Sequence, residues 1–236
     1  MMSKTQENTL LTTDGKYISK FEYFCVLLSR AGGMFGTTLT GSLAAAFLHE
    51  LYYGPAGVDA DGIADILAVQ TTLTTICGIL FGIIGGFIVQ NWKTSLGRYR
   101  HWYFICLVPT FLLTVLFFYV PKDWSIQQMN LLRYGIACCQ SAFNVFNVHS
   151  QNLVQVISPN HKEKKTVATI WQLSYYIGYG GAYIATAVYG IFSDDKNQMY
   201  MTLGVVAGVV TLFGNLMCGL FCKERIELPK KEKVKI

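Results

Sequence analysis

Charged residues are scarce in this chain. Of its 236 residues, 14% are Asp, Glu, Lys or Arg and 52% are hydrophobic, whereas soluble domains average about 25% charged residues. The charges cluster between apolar runs of the roughly 20 residues that a bilayer core requires. The composition therefore excludes an ordinary soluble domain and predicts a membrane protein with several spans.

Catalytic and metal-binding motifs are also lacking. The sequence contains no GxSxG, P-loop or HExxH motif, and acidic residues are nearly absent from the interiors of the apolar runs. The seven cysteines lie inside these runs or at their ends, without the spacing of metal ligands in a loop, and are interpreted as free thiols. We therefore expect no enzymatic activity, no metal site and no cofactor.

Six apolar runs predict an all-α membrane protein with six transmembrane helices. Residues 1–21 form a polar leader, residues 22–222 the six-helix transmembrane domain, and residues 223–236 a basic tail. The expected helices are approximately 22–52, 63–89, 102–120, 125–157, 167–192 and 199–222.

The distribution of basic residues predicts the orientation of these helices. Lysine and arginine concentrate in the leader, in the loops after the second and fourth helices, and in the tail, whereas the opposite loops hold Lys122 and Lys196 among several aspartates. By the positive-inside rule, both termini lie in the cytoplasm. Topology thus accounts for the net charge of +5, and no nucleic-acid partner is expected. The protein is expected in the cell membrane.

Polar residues form a stripe on the fourth predicted helix. The stripe consists of Arg133, Gln140, Asn144, Asn147 and Gln151. Their spacings of seven, four, three and four residues place them on one helical face. Hydrogen bonding between helices needs one or two such residues, so a stripe of five favours a water-filled cavity.

The fifth predicted helix carries a second polar face, which includes Gln172, Tyr175, Tyr179 and Tyr183. Tyrosine rings stack on the C–H face of a sugar while amides and hydroxyls bind its OH groups, although packing between helices explains such tyrosines equally well. Arg30, an intramembrane charge on the first helix, is interpreted either as a functional residue or as a snorkelling side chain.

Glycine recurs at every fourth position of the second predicted helix, at Gly78, Gly82 and Gly86. Glycines in this register allow another helix to approach closely. We interpret this track as a packing surface.

Two segments resemble the glycoside–pentoside–hexuronide:cation symporters related to melibiose permease, within the major facilitator superfamily. The first runs from Gly85 and Gly86 to the sequence Gly-Arg-Tyr-Arg-His-Trp at 97–102, and the second joins Asn-Val at 147–148 to Ser-Pro-Asn-His-Lys-Glu-Lys at 158–164. The resemblance covers the amino-terminal six-helix half of that family. It implies half of a major facilitator fold.

The sequence departs from that family where the family places acidic residues. Two acids of the second helix that are linked with cation binding fall on Gly78 and Gly82, one of the first helix falls near Thr38, and one of the fourth falls on Asn147. Neutral amides bind hydroxyls but do not hold Na⁺ or carry H⁺ in the same way, so cation coupling does not follow from the resemblance.

The resemblance implies a half-size transporter subunit, for a sugar or glycoside, that works by alternating access after pairing with a second six-helix half, either a separate chain or a second copy. The expected partners are the lipid bilayer, this second half and a small polar solute. The candidate substrate-binding residues are Arg30, Thr38, Asn144, Asn147, Gln151, Gln172, Tyr175 and Tyr179. Gly97, Arg98 and Arg100 are expected to form a cytoplasmic gate. The alternative is a non-transporting scaffold or regulatory subunit that kept the fold.

Overall fold

The computed structural model of the chain describes residues 15–92, 94–121, 124–192 and 195–226, apart from the side chains of residue 90 and residues 148–150. Most of the predicted leader and most of the predicted tail lie outside the described residues. The predicted division of the chain at residues 22 and 223 therefore stays a prediction.

Within these ranges the chain forms nine α-helices. They are α1 (Lys20–Thr40), α2 (Ala44–Phe47), α3 (Ala60–Asn91), α4 (Arg100–Ile105), α5 (Leu107–Phe117), α6 (Ile126–Gln151), α7 (Leu153–Val156), α8 (His161–Phe192) and α9 (Lys196–Phe221). A π-helical segment, Leu48–Tyr53, and a 3₁₀ turn, Gly54–Ala56, follow α2. The first, third and fourth predicted helices are thus each broken into two α-helices, whereas α3, α8 and α9 are continuous.

Side-chain caps fix where three long helices begin. Ser19 and Glu22 form a capping box at the start of α1. Asp59 accepts a hydrogen bond from the backbone N–H of Gly62 at the start of α3, and Asp195 accepts from Asn197 and Gln198 at the start of α9. Each cap satisfies backbone donors that have no partner within the helix.

Several helices are long and apolar enough to cross a membrane. In the described part of the chain these are Ala60–Val89, Arg100–Phe117 and Lys196–Phe221, and the pair Lys20–Thr40 and Ala44–Ala56, bent by 40°, makes a fourth if it is one span. Helices α6 and α8, with 26 and 32 residues, are long enough but more polar. The prediction of an all-helical membrane protein is confirmed, and the number of six spans stays a prediction.

The helices pack in two groups. Helix α1 packs against α8 and α9, α3 packs against α6, and α5 joins the groups through α9 and α6. At the α1–α9 crossing, a Cβ added to Gly214 would lie 2.8 Å from the carbonyl oxygen of Leu28. The Thr211 hydroxyl donates to the carbonyl of Gly32 at 2.8 Å. Small residues therefore let these two helix backbones approach closely.

The glycine track of α3 makes less internal contact than predicted. A Cβ added to Gly78 would lie 3.3 Å from Ser141 Oγ, whereas the same test at Gly82 and Gly86 meets no described atom within 4 Å. Gly85, one position off the track, also approaches α6, where an added Cβ would lie 2.9 Å from Val145. Most of the predicted packing surface therefore meets no other part of the described chain.

Arg133 shares the helical periodicity of the amides of α6 but does not line the cleft with them. The residue is 2% exposed, and its guanidinium carbon Cζ lies 4.0 Å from the ring centroid of Phe117 and 5.0 Å from that of Tyr52. Its Nη1 donates to the carbonyl oxygen of Phe117 at 2.6 Å, at the last residue of α5. The prediction that Arg133 extends the polar stripe is wrong, because this side chain caps a neighbouring helix inside an aromatic cluster.

Candidate substrate cleft

A polar cleft of about 290 Å³ opens between the two groups of helices. Its wall is formed by α1, α3, α5, α6 and α9. The lining residues are Gly33, Gly36, Thr37, Thr40, Gln70, Thr74, Thr110, Leu113, Thr114, Phe117, Ala137, Gln140, Ser141, Phe143, Asn144, Asn147 and Thr211. This volume of about 290 Å³ lies just below the range of about 300–1,000 Å³ for small-molecule sites.

The lining of this cleft is polar but uncharged. Among its described residues are the amides Gln70, Gln140, Asn144 and Asn147, and none is an acid, a lysine or an arginine. Amides supply both donors and acceptors, and so do threonine hydroxyls. Such a wall is suited to a neutral solute with several hydroxyl groups.

Three of the amides predicted from the stripe on α6 do face this cleft. Gln140, Asn144 and Asn147 line it, and Gln140 Nε2 donates to the carbonyl of Leu113 at 3.4 Å. Gln151 lies further along α6, where its Oε1 accepts from Nη1 of Arg30 at 3.2 Å. The row of four amides on α6 thus continues from the cleft to Gln151, which accepts a hydrogen bond from the charged Arg30.

Arg30 lies between aromatic rings of α8. Its Cζ is 4.7 Å from the ring centroid of Trp171 and 5.4 Å from that of Tyr175. Both distances are within the range of a cation–π interaction. Arg30 therefore joins Gln151 of α6 and Tyr175 of α8 in one cluster. Their role as substrate-binding residues stays a prediction.

The remaining candidates lie elsewhere. Tyr179 and Tyr183 are each 39% exposed on α8, with hydroxyl oxygens 3.4 Å apart, and the Tyr175 and Tyr179 rings stack at 6.3 Å. Gln172 is exposed on the same helix. Thr38 is 2% exposed and donates to the carbonyl of Met34 within α1, a position that does not support its assignment to the substrate site.

A model of the family described as MFS/sugar transport protein, where MFS is the major facilitator superfamily, matches residues 29–235. The chain belongs to this family. No match was found among curated proteins.

Membership makes this MFS protein an integral, multi-pass membrane transporter that resides in the lipid bilayer and moves a small solute. The resemblance to the major facilitator superfamily is confirmed, whereas the narrower resemblance to the melibiose permease group stays a prediction. A transporter family also agrees with the expectation that the chain is not an enzyme.

The predicted gate motif of this MFS chain lies in the loop at 94–100, which contacts the end of α9 and the residues that follow it. Gly97 has a φ of 113°, a left-handed conformation that favours glycine. The Glu224 carboxylate accepts from the backbone N–H groups of Arg98, Tyr99 and Arg100 at 3.0, 2.6 and 2.9 Å. The Arg100 side chain donates to the carbonyls of Gly219 and Leu220. These contacts hold the loop at 94–100 against the end of α9.

A second carboxylate organises the same end of the MFS fold. Glu163 is 8% exposed, and its Oε1 accepts from the backbone N–H groups of Tyr17 and Ile18 at 2.9 and 3.2 Å. Its Oε2 accepts from the hydroxyl of Ser158 at 2.6 Å. Burial raises the pKa of this carboxyl, but the hydrogen bonds and the charge of Arg225 outweigh burial and hold the pKa below its ordinary value of 4.5.

Sequence reasoning missed several residues that line the cleft of this transporter. Gln70 and Thr74 come from α3, Thr110 and Thr114 from α5, and Thr211 from α9. The four-residue spacing within the first two pairs is the signal that could have identified them, since such residues share a helical face. Threonine is common in helices that pack in membranes, and this makes the signal weaker than a stripe of amides.

Proposed function

We propose that the protein carries a sugar or glycoside across the cell membrane. The observation that supports this most directly is the cleft whose described lining is rich in amides and hydroxyls and holds no charge. A sugar exposes hydroxyl groups that both donate and accept hydrogen bonds, as amides and threonines do. Asn144 and Asn147, which line the cleft, would bind these hydroxyls.

The open face of the cleft calls for a second six-helix half. In transporters of this superfamily the solute binds near mid-membrane between two halves, which rock about the site to give alternating access. Polar side chains are costly against lipid, so the exposed Asn144 and Gln172 require cover. The open glycines Gly82 and Gly86 offer that half a close approach. This half would be a further part of the same polypeptide, a separate chain or a second copy.

Arg30 and Gln151 would lie at the inner end of the transport path. The loop with Gly97, Arg98 and Arg100 would hold the cytoplasmic end of the half rigid while it rocks. This role follows from the Glu224 and Arg100 hydrogen bonds, which connect the loop with α9. Because these contacts lie within one half, the loop would stabilise the moving body during transport.

Uptake into liposomes tests the proposal. The assembled protein is reconstituted, and the uptake of radiolabelled glycosides is compared with that of Asn144→Leu and of Asn91→Leu, a control in which the amide lies at the far end of α3. Loss of a hydrogen bond to a buried hydroxyl costs about 1–3 kcal/mol. We therefore expect about 5- to 150-fold weaker sugar binding for Asn144→Leu and unchanged binding for the control.

A non-transporting scaffold is the second candidate. It is favoured by the absence of carboxylates from the described lining of the cleft, since an acid is the usual ligand for a coupling cation. If a panel of glycosides is neither bound nor moved by the correctly assembled protein, the transport proposal fails and the scaffold replaces it.

A further inference from the structure

The guanidinium of Arg30 has no acidic residue near it along the helices. None of the fourteen acidic residues of the chain falls within 23–49, 66–122, 124–162 or 164–193. The nearest in sequence, Glu22, lies eight residues away, or about 12 Å along an ideal helix, and forms an ion pair with Arg225 at 2.8 Å. A charged side chain inside a membrane normally has a polar or ionic partner, and for Arg30 the described chain supplies neutral groups.

One nitrogen of Arg30 is buried without an acceptor. Nη1 donates to Gln151 and the guanidinium lies near two rings, but Nε has no hydrogen-bond partner among the described residues. A buried donor without an acceptor is costly, and more so when it carries charge. The structure therefore contains a cationic donor with room for an acceptor.

A second donor without an acceptor lies at the same place. Asn215 of α9 is 3% exposed, and its Oδ1 accepts from the Ser29 hydroxyl at 2.8 Å. This bond orients the amide and leaves its Nδ2 buried with no partner in the described part of the chain. Two helices, α1 and α9, thus each bring an unused donor.

Arg30 and Asn215 line one small enclosed void. The void measures about 10 Å³ and is also lined by Gly33, Asn147 and Trp171. This volume admits about one water-sized atom. Gly33 and Asn147 line the substrate cleft as well, so an atom bound in the void lies next to the cleft.

We propose that Arg30 Nε and Asn215 Nδ2 form a binding site for one negatively charged acceptor atom. A cationic donor and an amide donor suit an anion better than water, because water leaves the Arg30 charge uncompensated. The atom is either a free halide or one carboxylate oxygen of the transported solute. The second source rests on the proposed function, and the first holds whether or not the protein moves a sugar.

Thermal unfolding of the purified, assembled protein tests the site without a transport assay. The unfolding temperature is measured in sodium isethionate, a bulky reference salt, and with chloride replacing isethionate at constant ionic strength. At ten times the dissociation constant, a single-site anion raises the unfolding temperature by roughly 3–6 °C. Sodium glucuronate is compared with glucose in parallel. Saturable stabilisation by chloride indicates a free halide, and stabilisation by glucuronate alone indicates a solute carboxylate.

Variants separate this site from general salt effects. Asn215→Asp places a carboxylate beside Arg30 and is expected to abolish the response to both anions while keeping the protein at least as stable as the anion-saturated wild type. Arg30→Lys, which keeps the charge but removes Nε, is expected to weaken anion binding roughly tenfold or more. Asn91→Leu should respond as the wild type does.

The proposal is overturned if neither chloride nor glucuronate stabilises the wild type, because a carboxylate of a second half or a neutral water then completes the site. It is equally overturned if Asn215→Asp responds to anions as the wild type does. If sugar uptake is observed but no anion stabilises the protein, the proposed function is supported and the anion site is refuted.

Discussion

Glu163 lies in the first turn of α8, next to a polar loop, and yet is buried. Its replacement by glutamine is therefore expected to destabilise the protein more than the loss of an exposed carboxylate would. The carboxylate accepts three hydrogen bonds, from two backbone N–H groups and one hydroxyl. A hydrogen bond to a charged group contributes about 1.5–3 kcal/mol and a neutral one about 0.5–1.5 kcal/mol. Glutamine has one acceptor oxygen, so Glu163→Gln weakens the two backbone bonds and removes the acceptor of the Ser158 hydroxyl. We therefore expect a cost of about 2–4 kcal/mol, or roughly 5–15 °C in unfolding temperature.

The matched control for Glu163→Gln is Glu50→Gln. Glu50 forms an ion pair with Lys196 at 2.9 Å, with side chains that are 39% and 58% exposed. Exposed ion pairs contribute about 0–1 kcal/mol because water and salt screen them. Both variants remove one carboxylate charge, so a difference between them reports the buried hydrogen bonds and not the change in net charge.

The effect of Glu163→Gln also depends on pH. The folded-state pKa of Glu163 lies below its ordinary value of 4.5, so the ionised carboxylate contributes stability above that value, and this contribution is lost as the pH falls through the lowered pKa. Unfolding is followed by intrinsic fluorescence in detergent from pH 8 to pH 3. The wild type and the variant should differ most near neutral pH and converge in acid. The reasoning is refuted if the two carboxylate variants unfold within about 2 °C of each other at pH 7.5, a gap well below the 5–15 °C expected.

Two further predictions concern the packing of α1 against α9 and the loop at 94–100. Gly214→Ala should destabilise the protein by about 1–3 kcal/mol, because the new Cβ would lie 2.8 Å from the carbonyl of Leu28. By contrast, Gly135→Ala, within α6 and with no described atom within 4 Å of the new Cβ, should be neutral or stabilising by about 1 kcal/mol. Equal unfolding temperatures for the two variants would contradict the glycine-mediated crossing. Glu224→Ala should leave three backbone N–H groups, those of residues 98–100, without their acceptor. We therefore expect faster tryptic cleavage in the loop at 94–100. An unchanged digestion pattern would show that the carboxylate does not order this loop.

Much of the architecture could be predicted from the sequence because it follows from local patterns. The scarcity of charge and the long apolar runs predicted an all-helical membrane protein. The spacing of Gln140, Asn144 and Asn147 predicted a shared face, and these residues do line the cleft. Helical periodicity determines such faces directly, since each residue advances by a fixed rotation.

Other features depend on which helix covers a given face, and this is set by tertiary packing. Arg133 has the same periodicity as the amides, yet the end of α5 and an aromatic cluster bury it away from them. Thr38 likewise turns into the protein, where its hydroxyl bonds to its own helix. Periodicity places a residue on a face but carries no information on the neighbour that will contact it.

The sequence by itself determined that this protein is a helical membrane protein with a stripe of amides and a charged residue, Arg30, among its spans. The tertiary structure alone decided that Arg30 meets Gln151 and that Asn215 lies beside it, since residues far apart in sequence meet through helix crossings. It also decided that Glu163 holds the segment before α1. These contacts depend on the angles and close approaches of whole helices, which glycines such as Gly32 and Gly214 permit but no single stretch of sequence specifies.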